Sequence, residues 1–133
     1  MSKAVNESWR WISRSALLLL HDESLAEHGG AAGIRDEGLL DSALARPRNL
    51  VSYGAPDLAD LAASYGVGLA KNHAFVDGNK RAAFLAVGLF LAINGQRLVT
   101  TQADATLTML AVAEGSLEEP GFAAWIRDRM RPR

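Results

Sequence analysis

The 133-residue chain contains no cysteine, which excludes disulfides, thiol nucleophiles and zinc sites built on thiolates. It has almost no net charge: 14 basic side chains against 15 acidic ones give a formal −1 at pH 7. That balance does not supply the basic surface of a general nucleic-acid binder or of a protein drawn to anionic membranes. No basic segment followed by an apolar one opens the sequence in the manner of a signal peptide. The longest apolar run, AAFLAVGLFLAI from Ala82 to Ile93, is too short to span a bilayer. Repeats, low-complexity tracts and linkers are missing as well. These absences lead to the expectation of a cytoplasmic protein with no direct contact to nucleic acid or membrane.

What the chain does have is apolar content, 49% of its residues, enough to build a core, and a length that suits one domain over residues 1–133. Its punctuation is that of an all-α protein, a compact bundle of about six helices. Ser13 is placed to cap a helix through RSALLLLHDESLAEH, which Gly29 and Gly30 end. Asp36 caps EGLLDSALAR, and Pro47 is expected to stop it. Pro56 and Asp57 open LADLAASYGVGLAKN, whose small residues permit close packing. KRAAFLAVGLFLAI follows, closed by Asn94 and Gly95; Thr101 starts QADATLTMLAVAE, ended by Gly115. Ser116 with Glu119 resembles a capping box for LEEPGFAAWIRDRM. The basic tail RDRMRPR reads as a solvated helix end, its cations near the negative pole of the helix dipole. The helix containing Ala82–Ile93 is apolar on nearly every face, which predicts that it is the buried centre of the bundle.

Between two apolar stretches lies NHAFVDGNKR, residues 72–81. The helix after it begins with two cations, Lys80 and Arg81, where the dipole disfavours positive charge and stability alone would place Asp or Glu. Unpaired N–H groups at a helix start form a ready anion site, and Gly78 lets an anion approach the backbone. A bound phosphate would complete the arrangement, with Arg supplying a planar fork and Lys a mobile point charge. The alternative is that both cations simply reach solvent. Asp77 suits either a magnesium ion beside a polyphosphate or the N-cap of the helix. His73 is of the residue type that most often serves as a general base, although a lone histidine is more often a hydrogen-bonded structural residue. Phe75 reads as an anchor pointing into the core. His21 and Asp22 form an HD pair, but a metal phosphohydrolase needs further ligands that this chain does not offer convincingly. A polar contact between the first helix and a neighbour fits the pair better.

HAFVDGNKR resembles the signature loop of the Fic/Doc superfamily, H-x-F-x-(D/E)-(G/A)-N-(G/K)-R, matching at His73, Phe75, Asp77, Gly78, Asn79 and Arg81. The likeness covers roughly residues 15 to 100, and Ala74 stands where a proline is common. Fic adenylyltransferases carry Gly where this chain has Lys80, and a second Arg where it has Phe84; both departures point to the Doc branch. The resemblance implies a Fic/Doc fold and a toxin of a toxin–antitoxin pair. Its activity would be a kinase that passes the terminal phosphate of ATP to a threonine of elongation factor Tu and so stops translation. It implies His73 as the base, Asp77 as the magnesium ligand, Gly78 and Asn79 as the anion cradle, and Lys80 and Arg81 as phosphate partners. ATP and Mg2+ would be the cofactors, and a Phd-type antitoxin the partner. The alternatives are a Fic-type adenylyltransferase or a binding module of the same fold without activity. Self-inhibiting Fic proteins carry (S/T)-x-x-x-E-(G/N). Here Glu37–Gly38 and Glu114–Gly115 have Gly33 and Leu110 at the Ser/Thr position, so inhibition would have to come from another chain. The segment 47–57 is expected to act as the flap that aligns a target chain by strand-like pairing.

Overall fold

A computed structural model describes residues 9–133; the domain expected over 1–133 includes residues 1–8, which lie outside the described residues. Among the described residues there are six helices and one small two-stranded sheet. Helix α1 spans Arg14–His28, with the Ser13 hydroxyl accepting from Ala16 N at 3.1 Å and Gly29 closing the helix at φ 83°. Helix α2 spans Glu37–Tyr53, capped by Asp36 on Leu39 N. Pro47 does not stop it. The proline is buried inside the helix, and the turns on both sides of it pack on the core through Leu40, Ala43, Leu50 and Val51. That packing outweighs the backbone hydrogen bond a proline removes.

Helix α3, Leu58–Asn72, opens with a full capping box between Asp57 and Asp60. Every residue from Leu61 to Ala70 is buried, so α3, and not the helix after the loop, is the enclosed centre. Its small residues make this possible. A Cβ at Gly66 would lie 2.6 Å from Phe122, and one at Gly68 would lie 3.1 Å from the Arg46 side chain and 3.5 Å from Ala43. Helix α4, Asn79–Ile93, packs along α3. Its apolar circumference misled the sequence argument, because Phe84, Leu85 and Leu89 are only partly covered and the first two line a cleft. Asn94 ends α4 by donating to the Phe90 carbonyl.

Strand β1, Gln96–Leu98, pairs antiparallel with β2, Met130–Pro132, in the register Arg97 to Arg131. Three-residue strands leave no legible alternation, and the second begins at Met130, the last residue of the expected final helix. Helix α5 spans Gln102–Glu114, capped by Thr101 on Asp104 N. Helix α6 spans Glu119–Arg129 and starts at Glu118 without a side-chain cap. The box expected from Ser116 and Glu119 does not form: Ser116 donates back to Ala111 O, and Glu119 pairs with Arg46 at 2.5 Å. The basic tail is likewise not a merely solvated helix end. Arg127 grips Asp57 and Asp60, while Arg129 binds Asp104 at 2.7 Å and lies over the Trp125 ring. No helix among the described residues is long and apolar enough to cross a membrane.

Candidate active site

The loop 73–78 joins the end of the enclosed helix α3 to the start of α4, so both its anchors are set by the best-packed pair of elements in the fold. It does not wander. Phe75 is buried and bridges to Ile34 in the segment between α1 and α2. Arg35 N and Asp36 N both donate to Ala74 O, and Val76 N donates to Gly33 O. These strand-like contacts tie residues 33–36 to the chain's own loop; residues 47–53 of the segment expected to act as a strand-like flap for a target chain are helical.

Three side chains complete the loop's support. Asn79 forms a reciprocal pair with the backbone of Phe75, its Oδ1 accepting from the N–H and its Nδ2 donating to the carbonyl, both at 3.0 Å. The Asn79 amide thus clasps the turn. The buried His21 ring stacks on Phe75 at 3.7 Å, and its Nε2 bonds to Asp77 O at 2.8 Å. The expected contact between the first helix and a neighbour is thus made by His21 to the loop itself, whereas Asp22 is exposed. Arg35 reaches the carbonyls of Asn72 and His73. The sequence carries no signal for this contact, since its partners lie 37 and 38 residues apart.

On this support, His73 takes a left-handed conformation, φ 53° and ψ 46°, with its side chain exposed. It is the only non-glycine described residue with positive φ. Asp77 is exposed beside it; Oδ1 accepts from Gly78 N at 2.9 Å and Oδ2 from Ala31 N at 3.2 Å. It does not cap α4. That position belongs to Gly78, at φ 76°, with no side chain bonded to the first turn. The glycine is required by its dihedral angle more than by space, since a Cβ there would meet His21 at an ordinary 3.5 Å. The α4 N–H groups therefore open, uncapped, onto a cleft of about 920 Å³. His73, Asp77, Gly78, Asn79, Lys80 and Arg81 all line it. Glu23, Glu27, Thr101 and Gln102 also line it, together with the apolar Phe84 and Met109.

Uncapped N–H groups, two cations, one carboxylate and one imidazole thus share one cleft with apolar side chains, a make-up chemically suited to holding an anion. The Fic/DOC family model matches residues 11–91, a stretch that contains the whole loop 73–78 with Asn79, Lys80 and Arg81, and the chain belongs to that family. It is 34% identical over 119 residues to the Protein kinase doc of Escherichia phage P1, covering 89% of this chain and 94% of that protein. It is also 53% identical over 73 residues to the Toxin Doc of Mycolicibacterium smegmatis (strain ATCC 700084 / mc(2)155). That match covers 53% of this chain and 55% of the relative's length.

Proposed function

We propose that this chain is a Doc-type toxin that acts as a protein kinase, moving the γ-phosphate of ATP to a hydroxyl of a translation factor of the elongation factor Tu type. The observation that carries the reading is the single cleft that joins His73 and Asp77 to the uncapped start of α4. Similarity to a phage protein named as a kinase, along most of both chains, supports it. Phosphoryl transfer asks little covalent chemistry of a protein and much positioning and charge stabilisation. The α4 N–H groups with Lys80 and Arg81 would hold the phosphates. His73 would take the proton of the attacking hydroxyl as the O–P bond forms and ADP leaves.

Asp77 fits magnesium. Magnesium in nucleotide sites commonly uses one or two carboxylates together with substrate phosphates, and Asp77 is exposed in the cleft, oriented by two backbone N–H groups. Bound there, the ion would neutralise phosphate charge. The uncharged Phe84 in the cleft supports transfer of the γ-phosphate over the α-phosphate, because it offers no grip for the far end of a triphosphate. Residues 1–133 are read as one domain, working in the cytoplasm, with a Phd-type antitoxin as the inhibitory partner.

The test is incubation with cell lysate and ATP labelled separately at the α and γ positions. Label should reach protein from the γ position alone, and co-produced antitoxin should suppress it. Lys80→Gly should weaken the transfer without creating adenylylation. Label arriving from the α position alone would establish a Fic-type adenylyltransferase instead.

A further inference from the structure

We propose that Arg35 is a positioning residue for the reaction, setting the direction of His73 by holding the backbone on which it turns; this rests on the reading of His73 as the base. A histidine in the left-handed region is an unusual choice at the end of a helix, where glycine or asparagine normally stands. Here the position is fixed from outside. Arg35 Nε donates to His73 O at 2.6 Å and Nη2 to Asn72 O at 3.2 Å. Arg35 N and Asp36 N donate to Ala74 O at 2.7 and 3.1 Å. Three successive carbonyls, of residues 72, 73 and 74, are thus held by two adjacent residues of a different segment.

The guanidinium also lies at the C-terminal pole of α3, where carbonyls lack helical partners and positive charge is favoured. Its planar fork matches two neighbouring carbonyl oxygens, which a lysine ammonium cannot do equally well. Arg35 is itself exposed and lies outside the hydrophobic core. Its loss should therefore change the loop locally and leave the fold standing. Arg35 does not line the cleft, so no contact with the nucleotide is involved.

The test compares the full chain with Arg35→Ala, Arg35→Lys and His73→Ala, using γ-labelled ATP and lysate protein as acceptor. Arg35→Ala should lower kcat by about 10²-fold, the scale of a misplaced reacting group, with KM for ATP changed little. Arg35→Lys should recover only part of the rate. Independently of activity, the His73 backbone carbon shifts in NMR should leave the left-handed range in Arg35→Ala, while those of the α3 core stay. Unmoved His73 shifts, or a wild-type kcat in Arg35→Ala, overturn the proposal. Full activity in His73→Ala instead removes the base, and is told apart because the Arg35→Ala shifts would still move.

Discussion

A single residue, His73, joins the strained turn to the proposed chemistry. Its side chain is exposed in the cleft while its backbone is held from behind. His73→Ala should therefore remove phosphotransfer without loosening the fold. A loss of about 10²–10⁴-fold is the scale for a positioned base. Label transfer measures the loss, and calorimetry should show ATP binding nearly unchanged. Of the residues that line the cleft, the run from His73 to Arg81 stood out in the sequence, because chemical type and local spacing coincide there, whereas Glu23, Glu27, Thr101 and Gln102 carry no such pattern. Those that hold the loop stood out less. Asn79 stood in the motif, but its side chain serves the turn, and only the folded geometry separates that from contact with an anion. Arg35 contributes through a contact between segments far apart in sequence, for which no periodicity exists.

Among the elements, helix α3 decides the architecture. Gly66 faces Phe122, itself fully buried, at a separation that admits no methyl group. Helix propensity favours Gly→Ala by about 1 kcal/mol, yet the clash should prevail. Gly66→Ala is expected to destabilise by about 1–3 kcal/mol, the range for an overpacked core, as read by urea denaturation. The start of the same helix carries an acid-sensitive clasp. The Arg127 guanidinium, hydrogen-bonded to Asp57, holds that carboxyl below the ordinary range, and Asp60 contributes too. A depressed carboxyl stabilises the fold above its unfolded value of about 3.9. That contribution is lost as pH falls below this and through the lower folded value. Thermal unfolding from pH 6 to pH 2 should show an acid limb that becomes shallower in Asp57→Asn. Five of the six helix starts were legible from Ser13, Asp36, Asp57, Thr101 and the polar loop before α4, since caps are local. The end of α2 was not, because tertiary packing overrode Pro47, and the choice between α3 and α4 as the enclosed helix was not, because both are apolar.

For the whole molecule, chain order and spatial order nearly coincide at the centre. Helices α3 and α4 are sequence neighbours and also the most extensively packed pair, and the chemical loop is the turn between them. Local contacts of this kind form early in folding, since little chain must be closed into a loop before they gain energy. The hairpin of α3 and α4 is thus the expected folding nucleus, and the segment from β1 to β2, Gln96 to Pro132, is expected to dock later. Conservative truncations such as Val87→Ala should then slow folding with φ-values above about 0.5, whereas Ile126→Ala should mainly speed unfolding. φ-values reversed between these two sites would refute the assignment. A chain that folds in this order has the loop 73–78 in place before it is fully closed, so the proposed antitoxin, if it covers that loop, would have its target present from the earliest native-like state.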